Sequence, residues 1–379
     1  MIKSLFVEGL NGEHNYFLEF HNDLNILTGR NGAGKTTLLK LLWYMTTSLR
    51  TSLCVGWNFS KAKIKTDAYS FGIEISQNSN SEARHVNIIY SLGSEPPQEE
   101  KIEVIDDYIK RLDYEKLEHI NNILSPREAD SVFFPTFRRV EGGFSLGPRR
   151  VRPGMSRYHM DLSERLSEAM ETFASSLSDE RHRLIASIST KDIVQLLMSE
   201  YNRIAEETNR LYLKFSQQIT SILNNHRNEV SSERDLVEQL RTKLRSVEQR
   251  VADLRKPFSV LSGMVRDVFV DKGITISPWL SFGNARQMLN SDILSAGEKQ
   301  MFSFLCYNAF VHNAAIFIDE PELSLHVDWQ RILFSKLLAQ DSTNQFFVTT
   351  HSPFIYTRYP DKEFLLSADR GDVRGVLYE

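Results

Sequence analysis

Cysteine is nearly absent. Cys54 and Cys306 are the only two in 379 residues. Two thiols build no disulfide framework, and with no Cys-x-x-Cys pair they form no zinc hook or finger. Both are expected as buried thiols in a reducing compartment. Long apolar runs are missing as well. No stretch approaches the ~20 residues that a membrane helix needs. The N-terminus runs directly into strand-like Ile2 to Glu8, without a signal-peptide core. A large charge of one sign is also missing, because the formal net charge is −4. Whole-molecule charge therefore gives no argument for nucleic acid, which stays open as a partner only through local basic segments. Together these absences describe a cytoplasmic chain with no membrane partner. Glycine and proline are locally scarce: from Asp161 to Arg255 there is no proline and almost no glycine, a composition that favours long helices.

What is present is concentrated in short strings. Gly29-Arg-Asn-Gly-Ala-Gly-Lys-Thr36 fits the phosphate-loop pattern G-x-x-x-x-G-K-[ST]. Leu24 to Thr28 before it reads as a buried strand. Thr36 to Leu49 after it reads as a helix, with Leu38, Leu39, Leu42 and Met45 at helical spacing. Glycine lets the backbone wrap a phosphate where a Cβ would clash. The loop amides and the helix start then offer aligned donors to an anion. Asn31, Gly32, Ala33, Gly34, Lys35, Thr36 and Thr37 are thus the candidate nucleotide-binding residues. Lys35 supplies a point charge to the outer phosphates, and Thr36 a hydroxyl to Mg²⁺. The cofactors implied are ATP and Mg²⁺.

Four further elements follow in fixed order almost 300 residues downstream. Leu294-Ser-Ala-Gly-Glu-Lys-Gln300 opens a helix. Ala314 to Glu320 is an apolar strand ending in two acids. Pro321 to His326 is a turn. Phe346 to Pro353 is an apolar strand ending in His351. Here the chain resembles the ABC-type ATPase superfamily. Leu294 to Gln300 looks like the signature motif, Asp319-Glu320 like Walker B, Leu323 to His326 like the D-loop and His351 like the switch histidine. The strings LSAGEKQ, DEPELSLH and TTHSPF look like the OLD, RecF and SMC-like branch. They are most similar to OLD-type ATPases of bacterial anti-phage systems.

The resemblance implies roles. Asp319 is the expected Mg²⁺ ligand, acting through water. Glu320, one residue on, is expected to face the other way along the strand and to serve as general base. His351 would sense the γ-phosphate. Ser295 and Gly297 begin the signature helix and would complete the ATP site of a second subunit, so a homodimer or higher oligomer is expected. Ala296 and Glu298 depart from the usual LSGGQ, with Glu298 in place of the glutamine. A serine at a helix start is also an ordinary N-cap. The Q-loop glutamine has no clear place, and Gln77 is a weak candidate. Val132 to Arg139 is an apolar strand followed by arginines and resembles the strand-plus-arginine element of OLD-type ATPases. Arg138 or Arg139 would sense nucleotide there, or be a plain exposed pair.

The fold expected is α/β: an ABC-type P-loop ATPase head with a mixed sheet core and a helical coiled-coil insertion. The segments expected are 1–155, 156–258 and 259–379. Gly142 to Met160 reads as a loop carrying Arg149, Arg150, Arg152 and Arg157. Val237, Leu240, Leu244, Val247, Val251 and Leu254 step by three and four, as a coiled-coil seam does. Asn224 to Asn228 is expected to turn the chain, and Lys256-Pro257 to stop the helix. Only 28 residues follow His351, so no Toprim nuclease is expected after it. The function expected is an ATP-hydrolysing sensor in an anti-phage complex that controls a separately encoded nuclease or toxin. It would act as the ATPases of Septu, retron-associated and PARIS systems are understood to act. The alternative is a RecF/SMC-like repair ATPase that clamps DNA itself. A transporter subunit fits the mid-chain insertion and the DEPE string poorly.

Overall fold

The computed structural model describes residues 1–77, 83–105, 108–109, 111–136, 169–170, 172–186, 188, 190–226, 233–268, 295–340 and 342–368. Arg138, Arg139 and the basic loop over 142–160 lie outside the described residues. The chain forms two compact units. One comprises Met1–Ile188, Val311–Leu338 and Ser342–Glu379; the other comprises Ser189–Phe310 and Ala339–Asp341.

Alternation along the first strands builds an antiparallel sheet in the first unit. Its order is β2 (His14–Glu19), β1 (Ile2–Leu10), β4 (Lys61–Thr66), β5 (Tyr69–Gln77), β6 (Ala83–Leu92), β7 (Gln98–Ile105) and β8 (Tyr108–Ile109). Ala62 and Ile64 point to the core while the lysines between them face out. In β7, Ile102 and Val104 continue the inward face and pair with Val86 and Arg84.

The second sheet of this unit is parallel throughout. Its order is β10 (His182–Leu184), β9 (Ser131–Phe134), β11 (Ala315–Asp319), β12 (Gln345–Thr349), β3 (Leu24–Thr28) and β13 (Glu363–Leu365). Every residue of β3, β9, β11 and β12 is buried. Such continuous apolar runs are the pattern of strands covered on both faces. Stacked rings fill the core: Phe317 lies 5.1 Å from Phe347, and Phe20 meets Phe347 edge-on at 4.9 Å. Gln345 ties the two sheets together. Its side chain accepts from Ile2 N–H at 2.8 Å and donates to the Ile2 and His21 carbonyls at 2.8 Å. The strand order matters for function, since ligands of parallel sheets bind at the carboxyl ends of the strands. Here β9, β11, β12 and β3 end side by side.

Helix α1 (Lys35–Met45) packs Leu38, Leu39, Leu42, Trp43 and Met45 into the core. It stops at Met45, short of Leu49, where the Thr46 hydroxyl turns back on the carbonyls of Leu42 and Trp43. A tight helical turn over Ser48–Cys54 follows, capped by Thr47. Helix α2 (Arg111–Leu124) follows β8, whose Tyr108 and Ile109 pair with Ile105 and Val104. Beneath these elements lies a buried polar chain. Trp43 Nε1 donates to Ser131 Oγ at 3.0 Å, Ser131 Oγ meets His182 Nδ1 at 2.9 Å, and His182 Nε2 meets Glu128 Oε2 at 3.0 Å. Arg50 Nη1 donates to Glu128 Oε1 at 2.6 Å. The Glu128 carboxylate can only accept, so the neutral histidine donates from Nε2 and leaves Nδ1 to accept the serine proton, while the indole donates to the serine oxygen. Burial, more than any charge, pushes His182 down to about 4, with Arg181 and Arg50 adding to it and Asp179 and Asp130 opposing.

The second unit is helical: α3 (Thr190–His226), α4 (Glu233–Val268) and α5 (Ala296–Phe310). Tyr201 meets Phe258 at 6.4 Å, and Lys243 Nζ donates to Gln218 Oε1 at 3.3 Å, so α3 and α4 run antiparallel. The expected seam is half covered. Val247 and Val251 are buried, whereas Val237 and Leu244 remain 49% and 39% exposed. Pro257 does not stop the helix; it sits inside α4. An interior proline costs about 3 kcal/mol. Phe258, Leu261 and Val265 carry the apolar stripe past it into the core, and this burial offsets the lost bond. Cys54 and Cys306 are free and buried, and burial pushes the Cys54 thiol up to about 12. Among the described residues, no helix is long and apolar enough to cross a membrane.

Candidate functional site

Four strand ends supply the site, all from the first unit. After β3 the loop turns through three glycines at positive φ: Gly29 at 143°, Gly32 at 87° and Gly34 at 75°. Gly34 caps α1 in the left-handed conformation, which leaves the first amides of the helix facing the loop. A Cβ on Gly29 would stand 2.8 Å from Ser367 Oγ. Ser367 in turn accepts from Arg30 N–H at 2.9 Å. From the other side, the Tyr16 hydroxyl donates to Ala33 O at 2.8 Å. Asn31, Gly32 and Ala33 form the crest of this braced loop, and Thr37 follows Thr36 into α1.

Lys35 is only 6% exposed. Its ammonium folds back onto the carbonyls of Gly29 at 3.0 Å and Arg30 at 3.2 Å. Burial lowers its pKa; Glu320, Asp319 and Glu322 act against that. A buried ammonium inside a ring of carbonyls and glycine amides is a seat for a polyphosphate.

Asp319 ends β11 and is fully buried. Three hydroxyls surround its carboxylate. Thr36 Oγ1 donates to Oδ1 at 2.9 Å, Thr349 Oγ1 also donates to Oδ1, and Thr136 Oγ1 donates to Oδ2. The parallel register sets this arrangement, since Thr349 on β12 lies beside Asp319 on β11. A carboxylate with adjoining hydroxyls is a hard, all-oxygen donor set of the kind that Mg²⁺ takes. Thr36 and Asp319 are the residues that would hold the ion.

Glu320 lies beyond the strand. Its φ of 50° is left-handed, a conformation that costs a non-glycine about 1–3 kcal/mol. Its amide is held by the carbonyl and hydroxyl oxygens of Thr349, at 3.1 and 3.2 Å. The backbone twist, not strand alternation, therefore sets where its side chain points. Burial pushes Glu320 up to about 8; a hydrogen bond with Glu322 and the negative charges of Glu322 and Asp319 add to this, and Lys35 opposes. His351 Nε2 is 3.6 Å from Glu320 Oε1. Burial lowers the His351 pKa, Lys35 lowers it further and Glu322 opposes. A neutral imidazole thus faces the carboxyl of Glu320. Glu322, two residues on, binds the loop after β12 through three donors: Thr350 Oγ1 at 2.8 Å, His351 N–H at 2.7 Å and Ser352 N–H at 3.1 Å.

Lys35, Thr36, Asp319, Glu320 and His351 thus converge. The remaining candidates do not join them in this unit. Ser295, Gly297 and Glu298 lie in the helical unit at the start of α5, where Ser295 and Glu298 form a capping box. Ser295 N–H donates to Glu298 Oε2 at 2.6 Å, and Glu298 N–H to Ser295 Oγ at 3.3 Å. Gly297 is buried in the first turn. Arg139 is outside the described residues. Gln77 ends β5 in the antiparallel sheet, paired with Arg84.

The sequence profile of a family described as "AAA domain, putative AbiEii toxin, Type IV TA system" matches residues 24–357. The chain belongs to this AAA-domain family. The match starts at the first residue of β3 and runs past His351, so it spans every strand end that carries the site. Two solved structures of Smc heads are similar to this AAA-domain chain. One is the Smc head domain with an extended coiled coil bound to the C-terminal domain of ScpA, derived from Pyrococcus furiosus; the other is the SmcHead bound to the C-winged helix domain of ScpA. Each is 11% identical, covers 94% of this chain and 91% of the other, and has a TM-score of 0.35. That score is too low to define the fold, which rests on the strand order itself. No curated protein sequence matches the chain.

Sequence reasoning missed five residues of this AAA-domain site: Tyr16, Thr136, Glu322, Thr349 and Ser367. Glu322 and Thr349 had a signal, since both sit inside the strings that flank Asp319 and His351. Tyr16 and Ser367 had none; only the fold brings them to the phosphate loop.

Proposed function

We propose that this AAA-domain protein binds and hydrolyses ATP, and that its ATP state governs a separately encoded effector in bacterial defence against phage. The observation that carries the ATPase reading is the convergence of Lys35, Thr36, Asp319, Glu320 and His351 at neighbouring strand ends. In this reading, Lys35 and the amides of Asn31 to Thr37 grip the phosphates. Thr36 and Asp319 hold Mg²⁺, which when bound neutralises charge on the phosphate oxygens. Glu320 takes a proton from the attacking water. It serves as a base only when ionised, and it ionises once positive charge enters the site. His351, neutral beside it, registers the outer phosphate.

Ser295, Gly297 and Glu298 would complete the site of a second copy, since a helix start, whose serine hydroxyl keeps its own proton to donate, suits an anion. The α3–α4 pair, with Val237 and Leu244 still exposed, would serve as the coiled-coil arm for assembly. The family's toxin–antitoxin description accords with a defence role. The effector would be a nuclease or toxin encoded elsewhere.

The test has two stages. Purified protein is assayed for Mg²⁺-dependent phosphate release from ATP; absence of both binding and release sinks the ATPase reading. Cells carrying the gene and its neighbours are then challenged with phage, with and without Lys35→Ala. Equal plating in both would remove the defence role and leave the ATPase standing.

A further inference from the structure

Glu322 has no assigned step in the reading above, yet three donors meet its carboxylate, as many as meet Asp319. It stands in the turn after β11, hydrogen-bonded to Glu320 and to three donors from the loop after β12. The same loop is anchored once more. Ser352 Oγ donates to Gln330 Oε1 at 2.6 Å, and Gln330 Nε2 donates to Leu325 O at 2.9 Å, in the same turn as Glu322. The two loops are therefore tied to each other through Glu322 and Gln330. One of them carries Glu320, the other His351.

We propose that Glu322 is a positioning residue that clamps His351 in register with Glu320. The inference rests on the ATPase reading and adds to it. The two side chains approach at 3.6 Å, but no backbone hydrogen bond fixes the amide of His351 other than the one to Glu322 among those the structure records. The adjoining amide, Ser352 N–H, is shared between Glu322 and Thr350 Oγ1 at 2.9 Å. Without the carboxylate, the amides of residues 351 and 352 lose their acceptor. A shift of ~1 Å in His351 is then enough to cost about 100-fold in turnover. The phosphate loop and Lys35 are held by Tyr16, Ser367 and the carbonyls of Gly29 and Arg30, and Thr36 by Asp319, so losing the clamp removes none of these contacts.

The experiment compares Glu322→Ala, Glu322→Gln, His351→Ala and the double variant Glu322→Ala/His351→Ala in steady-state ATP hydrolysis. Glu322→Ala is expected to lower kcat by about 10- to 100-fold with KM for ATP within about twofold. Glu322→Gln keeps an oxygen for both amides and should recover most of kcat. The double variant should turn over like His351→Ala alone, because the two residues act as a unit. Additive losses in the double variant, or no recovery with Gln, would overturn the proposal. If Glu322→Ala fails to fold, Glu322→Asp is read in its place; it keeps the charge and withdraws the oxygens by one methylene. A wild type that hydrolyses no ATP would defeat the ATPase reading. A wild type that hydrolyses ATP beside a fully active Glu322→Ala would defeat only the clamp.

Discussion

His182 makes the stability of the first unit pH-dependent, and the size of the effect follows from its surroundings. It is 3% exposed, and its neutral form is fixed by a chain of donors that runs from Trp43 through Ser131 to Glu128. Protonation would set an N–H on Nδ1 against a hydroxyl whose proton already points there. Its pKa falls from 6.5 to about 4 on folding. Between these values the unfolded chain binds the extra proton, so the stabilisation is complete above pH 6.5 and is lost as pH falls toward 4. The full shift amounts to about 3 kcal/mol at ~1.4 kcal/mol per unit. At pH 5 about 2 kcal/mol of it is gone. For a unit of this size that corresponds to ~4–8 °C in Tm.

The assay is urea unfolding at pH 7.5 and pH 5.0 for wild type and His182→Gln. Glutamine keeps a donor for Glu128 and removes the titration. The variant should start less stable at pH 7.5, because Ser131 loses its acceptor. The wild type should then lose about 2 kcal/mol more than the variant on going to pH 5.0. Taking the difference cancels the other titrating groups. Parallel losses in both proteins would refute the reasoning and show that His182 is charged, or solvated, in the folded state.

Lys35→Ala should weaken ATP binding by about 10- to 100-fold, measured with a fluorescent ATP analogue, since charged hydrogen bonds to phosphate are lost. Glu320→Gln should keep that binding and lower phosphate release by about 100-fold or more, trapping ATP; equal loss of binding would make Glu320 structural. Mixing equal amounts of Lys35→Ala and Ser295→Arg protein should restore at most one working site per mixed dimer, read as about a quarter of the wild-type rate when the subunits pair at random. Full activity from a strictly monomeric preparation would exclude a site shared between copies.

Much of the fold was legible because its signals are local. Leu24 to Thr28 and Ala315 to Asp319 are apolar runs too short for helices and flanked by motif residues, and both are strands. The glycines at 29, 32 and 34 declared a loop with positive φ, and all three have it. Failures came where long-range packing overrode a local rule. Pro257 looked like a stop, yet Leu261 and Val265 are fully buried beyond it, so the helix continues.

The site divides in the same way. Residues that bear charge announce themselves in a sequence, because Lys, Asp, Glu and His are conspicuous after a strand or a glycine loop. Residues that hold those charges do not. Thr36, Thr136 and Thr349 all reach the one carboxylate of Asp319, from positions 36, 136 and 349. Only the parallel order β9, β11, β12, β3 makes them neighbours. That order also explains why hydroxyls suffice. A fully buried carboxylate needs donors to stay ionised, and a fixed lysine there would itself compete with a cation. Threonine hydroxyls satisfy the carboxylate while the site lacks a cation and can rotate to accept when one arrives. In the proposed site this shell would let a cation take the place of the hydroxyl protons, and Thr136→Val, which leaves volume nearly unchanged, removes one of the donors without touching a charge.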